Sequence, residues 1–200
     1  MCLVTKARMS DIDNFALELF SGIGGMSLGL HSAGFESHGL DASERAVAMA
    51  NKNGLASAVV DVFEPEIVET MRRVHPNPVL IHSSPPYCGY SQASASPQSQ
   101  KQMWNSLTTR AADIVVQMKP PVAIFENVLT ARTSDNWTRA IARLNSNGYH
   151  SVSVCLDACK MSIGVPQTRK RLFVVLCRTP GHDLAVAQKK WANGWKISRR

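Results

Sequence analysis

The 200-residue chain has no run of about 18 uncharged apolar residues, the length a helix needs to cross a bilayer. Its start, MCLVTKARMSDIDN, carries a Lys and an Arg but no apolar stretch of signal-peptide length behind them. It has no paired cysteines: Cys2, Cys88, Cys155, Cys159 and Cys177 are odd in number and never spaced as CxxC, so neither a disulfide framework nor a zinc site is indicated. Internal repeats and linker-like segments are missing too. Acidic residues are few, 15 against 22 Lys and Arg. These absences predict a soluble protein of the cytoplasm, without membrane contact or metal, built as one domain. The formal charge of +7 suits a polyanionic partner, above all nucleic acid. Part of the excess is terminal, where Arg178, Lys189, Lys190, Lys196, Arg199 and Arg200 face only Asp183. Residues 1–178 therefore read as the folded domain and 179–200 as a basic tail or helix.

What is present is a regular alternation of short apolar runs with amphipathic windows, the signature of an α/β protein with a mostly parallel sheet flanked by helices. FALELF, ESHGL, AVV, PVLIHS, VAIFEN, HSVSVCLDA and RLFVVLC read as strands. Between them, MSLGLHSAG, SERAVAMANKNG, a window from Pro65 to Val74, MWNSLTTRAADIVVQM and NWTRAIARLNSNG read as helices. Ser43 is a suitable N-cap, and Gly34, Gly54 and Gly148 are suitable stops. Tyr87 to about Gln100 is rich in Ser, Gln, Gly and Pro and predicts a loop.

The turn Phe20-Ser21-Gly22-Ile23-Gly24-Gly25 lies between the first strand and the first helix. Glycines there let backbone N–H groups approach a ligand at a helix N-terminus. Asp41 follows the turn by about twenty residues, the distance at which an acid accepts from ribose hydroxyls. Asp61, after the third strand, can accept from an adenine amino group. Ser27 stands where a dinucleotide fingerprint needs its third glycine, which disfavours a nicotinamide cofactor and leaves S-adenosylmethionine as the better candidate. Each acid alone would be an ordinary helix cap.

Over Phe15 to Cys177 the chain resembles the cytosine-5 DNA methyltransferases. ALELFSGIGGMSLGLHSAGFES is similar to their cofactor motif, SSPPYCGYSQAS stands in the place of their nucleophile loop, ENV at Glu126 to Val128 is similar to their base-binding motif, and GVPQTRKRLFVV to their late arginine motif. The resemblance implies a Rossmann-like methyltransferase fold, S-adenosylmethionine as donor, and a cytosine flipped out of double-stranded DNA. It implies that Phe20, Gly22, Gly24, Gly25, Asp41, Asp61 and Pro85 serve the cofactor. Glu126 would hold the N3 and amino edge of the base, and Arg171, with Arg169 behind it, would lie near the O2 edge. Ser91, Asn127, Gln167 and Arg169 would face nucleic acid. Structured RNA is a lesser alternative substrate.

Two departures qualify the resemblance. In the family the catalytic cysteine directly follows the two prolines; here Tyr87 does, and Cys88 comes one place later. A thiolate is needed because carbon 5 of cytosine is a poor nucleophile until a group adds to carbon 6, and tyrosine, with a reference pKa near 10, is ill suited to that addition. Three readings follow. Cys88 serves as nucleophile from a rearranged loop. Alternatively Ser84-Pro85-Pro86-Tyr87, similar to the tetrapeptide of amino-methyltransferases, directs transfer to cytosine N4 with Tyr87 stacked on the base. In the third, the chain is a catalytically inactive DNA-binding or regulatory subunit. The second departure is that the family's target-recognition region has no counterpart here, which points to relaxed specificity, a fragment, or a separate recognition subunit.

Overall fold

The computed structural model describes residues 14–86, 98–159 and 166–178. Tyr87, Cys88, Ser91 and the tail 179–200, with the expectations that fall on them, lie outside the described residues. Along the chain run β1 (Phe15–Leu19), α1 (Gly25–Ser32), β2 (Glu36–Asp41), α2 (Glu44–Lys52), β3 (Ser57–Val59), α3 (Ile67–Val74), β4 (Leu80–Ser83), α4 (Gln98–Met118), β5 (Val122–Asn127), a 3-10 turn (Leu129–Thr133), α5 (Asp135–Ser146), β6 (His150–Asp157) and β7 (Lys170–Cys177).

Local chemistry sets most of these boundaries. Ser43 caps α2 by accepting from Ala46 N–H at 3.3 Å, and Ser134 caps α5 by accepting from Trp137 N–H at 3.3 Å. Gly34, Gly54 and Gly148 follow their helices with φ of 86°, 76° and 86°. Two boundaries differ from expectation. Helix α4 begins at Gln98, inside the segment read as loop, because Gln, Lys and Met are good helix formers however polar their neighbourhood. Helix α3 begins at Ile67 and leaves Pro65 in the preceding turn.

The seven strands pair in the order β3-β2-β1-β4-β5-β7-β6. The first five are parallel, and β7 enters antiparallel between β5 and β6. Strand order reverses between β1 and β4, which opens a crevice at their carboxyl ends. On one face Leu17, Leu19, Ile81, Phe125, Val174 and Leu176 join the apolar sides of α3, α4 and α5 in the main core. Phe125 meets Trp137 edge-on there, with ring centroids 6.3 Å apart. The other face carries a smaller cluster of Ala16, Leu30 and Leu80 beneath α1. Among the described residues no helix is long and apolar enough to cross a membrane.

Two glycines of one helix differ sharply in what they tolerate. Gly24, the N-cap of α1, has φ 89°, and an added Cβ would lie 2.3 Å from Cδ1 of buried Leu55. Gly29, in the middle of α1, would meet nothing within 4 Å. Gly24→Ala is expected to cost about 1–3 kcal/mol and Gly29→Ala to gain about 1 kcal/mol. Urea denaturation of the two variants checks the opposite signs.

Candidate active site

The turn after β1 is built from unfavourable backbone angles held in place by hydrogen bonds. Phe20, a non-glycine, has φ 60°, Gly22 56° and Gly24 89°. Gly22 N–H donates to Oδ2 of Asp41 at 2.8 Å, Ser21 N–H to the Leu40 carbonyl at 3.2 Å, and Ser84 Oγ to the Phe20 carbonyl at 3.3 Å. The turn is thereby tied to the ends of β2 and β4, and cavities open on both of its sides.

The first cavity, of about 280 Å³, is lined by Phe20, Asp41, Asp61, Val62, Pro86 and Leu107 among others. It combines an aromatic wall, aliphatic walls and two carboxylates, a suitable environment for a flat polar ring carrying a sugar. Asp41 already accepts from Gly22 N–H and, through Oδ1, from Ser43 N–H at 2.9 Å; a carboxylate has lone pairs for further donors. Asp61 likewise accepts from Phe63 N–H through Oδ1 at 2.9 Å and keeps Oδ2 for a ligand. Phe20, Asp41 and Asp61 thus come together as the sequence predicts. Gly22 and Gly24 shape the turn, and Gly25 lines the cavity on its other side.

That second cavity, of about 540 Å³, includes Gly25, Ser84, Glu126, Arg169, Arg171 and Phe173 in its walls. Glu126, at the end of β5, accepts from Arg171 Nε at 3.0 Å. Burial pushes the Glu126 carboxyl above the ordinary range, against the opposing pull of Arg171 and Arg169. Arg171 stands on β7 beside β5, so the antiparallel insertion of β7 is what delivers the guanidinium. Gln167 is exposed just before this strand and lines neither cavity.

Asn127 corrects an expectation. Its side chain is 3% exposed and committed internally, with Nδ2 donating to the Pro85 carbonyl at 3.0 Å and Oδ1 accepting from Val128 N–H at 2.8 Å. It clamps the start of the Pro-Pro loop to β5 and presents nothing to nucleic acid. Pro85 takes part through this carbonyl, and it is Pro86 that reaches the first cavity.

Sequence reasoning missed Glu18 and His82. They stand opposite each other on β1 and β4, 1% and 2% exposed, and both line the second cavity. Glu18 Oε2 accepts from Ser27 Oγ at 2.7 Å, while Oε1 lies 4.0 Å from His82 Nδ1. Neither His82 nitrogen has a hydrogen-bond partner among the described residues. The available signal was an acid and an imidazole inside apolar strands, where charged groups are rarely buried without purpose.

Burial, outweighing the Ser27 bond, pushes Glu18 up to about 7 from 4.5, and burial drives His82 down to about 4 from 6.5. Between pH 4.5 and 7 the folded chain keeps a proton on Glu18 that the unfolded chain releases, so this group costs stability as pH rises. Between pH 6.5 and 4 the unfolded chain protonates His82 and the folded one does not, so that group costs stability as pH falls. The two slopes, each worth about 3 kcal/mol in full, nearly cancel. Glu18→Gln removes one of them. The variant is expected to match wild type near pH 4 and to exceed it by up to about 3 kcal/mol above pH 7. Denaturation curves across this range check the divergence, and a constant difference would contradict it.

Comparison with known proteins bears on the whole chain. The model of the C-5 cytosine-specific DNA methylase family matches residues 15–194. The chain is 33% identical over 161 residues to the type II methyltransferase M.HgiDI of Herpetosiphon aurantiacus, covering 80% of this chain and 50% of that protein. It is 32% identical over 163 residues to M.HindV of Haemophilus influenzae, covering 80% and 51%. Among solved structures it is similar to the S. pombe Dnmt2 methyltransferase, with a TM-score of 0.64, 21% identity, and coverage of 84% of this chain and 51% of that one. The chain thus spans about half the length of the curated relatives it matches. With its motifs in order and its sheet built as the motifs require, the chain belongs to the C-5 cytosine-specific DNA methylase family.

Proposed function

We propose that the chain is the catalytic part of a DNA methyltransferase that transfers a methyl group from S-adenosylmethionine to a cytosine turned out of duplex DNA. The observation that carries this reading is the pair of cavities on either side of the turn after β1, one furnished for an adenosine and the other for a polar heterocycle. When bound, S-adenosylmethionine supplies a methyl group activated on a sulfonium centre. Phe20 offers a face to the adenine, Asp61 accepts from its amino group, and Asp41 accepts from the ribose. Pro85 and Pro86 form the wall between cofactor and base. Glu126, steadied by Arg171, holds the N3 and amino edge of the cytosine, and Arg171 approaches the O2 edge. Arg169 and Gln167, both exposed, face the nucleic acid. The catalytic domain extends over 1–178 with the basic segment 179–200 appended. The enzyme works in the cytoplasm.

The raised Glu126 carboxyl favours carbon 5 as the methylated atom. Protonated, it donates to N3, draws electron density from the ring, and eases addition of a thiolate at carbon 6, the role left to Cys88. A second reading, transfer to N4, is favoured by Ser84: the residue lines the same cavity, and its hydroxyl, which donates to the Phe20 carbonyl, keeps lone pairs to accept from the base amino group.

The test is transfer of labelled methyl to DNA followed by mass spectrometry of the hydrolysed nucleosides. The expected product is 5-methylcytosine; N4-methylcytosine supports the second reading, and absence of label on any DNA would contradict both. Glu126→Gln is expected to lower the rate by about 100-fold or more. Asp61→Ala is expected to weaken cofactor binding by about 10-fold, as loss of one buried hydrogen bond does, with calorimetry as the check.

A further inference from the structure

We propose that His82 and Glu18 form a proton relay beneath the substrate cavity, His82 taking the proton that methylation expels from the base and passing it to Glu18. This deepens the methyltransferase reading and rests on it.

Glu18, His82 and Ile124 stand abreast on β1, β4 and β5; Ser84, just past the end of β4, and Glu126 on β5 each lie two residues further along the chain. Two residues of strand span about 7 Å. The groups assigned to hold the base thus form an upper tier, and the buried pair forms a lower tier in the same cavity. His82 turns Nδ1 toward Glu18 Oε1, leaving Nε2 buried and without a partner. Leaving a buried polar nitrogen unpaired is unfavourable, and two on one ring are hard to explain as packing. Ser27 fixes the far oxygen of Glu18, so Oε1 is the one left for the imidazole.

The chemistry requires an acceptor. Methylation replaces a hydrogen of cytosine, at carbon 5 or at N4, so one proton leaves the base in either route. In the relay the bond from that proton to carbon or nitrogen breaks, its electron pair stays with the base, and the proton bonds to Nε2. The Nδ1 proton moves to Oε1 of Glu18; once product has left, Nε2 gives up its proton to water entering the vacated cavity and Oε1 returns its own to Nδ1, restoring the starting tautomer. The charged groups sharing this environment are Glu126, Arg169 and Arg171 in the cavity wall, and Asp41, whose charge raises Glu18 further. Glu18 must be ionised to accept, so the methylation rate should rise as pH passes about 7.

Two measurements on the 200-residue chain test the relay. Nitrogen-15 NMR of the His82 ring should show a neutral imidazole with its proton on Nδ1 from about pH 5 to about pH 8. A charged ring at neutral pH, or a proton on Nε2, would overturn the relay. In single-turnover methylation, His82→Asn and Glu18→Gln should each slow transfer by about 100-fold and abolish the rise near neutral pH, with S-adenosylmethionine affinity within a few-fold of wild type. A wild-type rate and pH profile in either variant, or a loss traceable wholly to weaker cofactor binding, would overturn the relay alone. Absence of transfer by the wild-type chain would overturn the relay together with the reading beneath it.

Discussion

The left-handed turn that follows β1 is the constraint on which the site depends. Phe20, at φ 60°, occupies a region that costs a non-glycine residue roughly 1–2 kcal/mol. The conformation is maintained by three hydrogen bonds, two from the end of β2, at the Asp41 carboxylate and the Leu40 carbonyl, and one from Ser84 after β4. The result is that one short peptide presents its aromatic ring to one cavity and Ser21 and Gly25 to another. Asp41 therefore has two assignments, as anchor of the turn and as acceptor for the proposed ribose.

Electrostatics divides the two cavities further. The first holds two carboxylates and, among the described residues, no basic side chain in its wall. In the second, Arg169 and Arg171 surround Glu126, and Glu18 and His82 are buried below. Burial shifts both members of this lower pair toward their uncharged forms, the acid upward and the imidazole downward. Arg171 reaches Glu126 only because β7 runs antiparallel between β5 and β6, so the one irregularity of the sheet has a direct consequence for the site.

Much of this was legible in the sequence. The alternation of apolar runs located all seven strands, and the caps at Ser43 and the stops at Gly34, Gly54 and Gly148 behave as their chemistry requires. Phe20, Asp41 and Asp61 line one cavity, and a turn, a spacing and residue type single them out in the sequence. The start of α4 was misplaced because polarity was read as loop where helix propensity prevailed. Asn127 was assigned outward because a motif gives residue type without direction; in β5 its neighbour Glu126 faces the cavity, and Asn127 consequently points to the opposite side. Glu18 and His82 escaped notice because LELF and LIHS read as core strands, and only strand order reveals that these two side chains meet.

The division of labour between the two cavities is best tested by a crystal structure of the chain with S-adenosylhomocysteine. The account predicts the adenine against Phe20 with its amino group at Asp61, the ribose at Asp41, and the space around Glu126 left to the base. An adenine seated instead between Glu126 and Arg171 would contradict it.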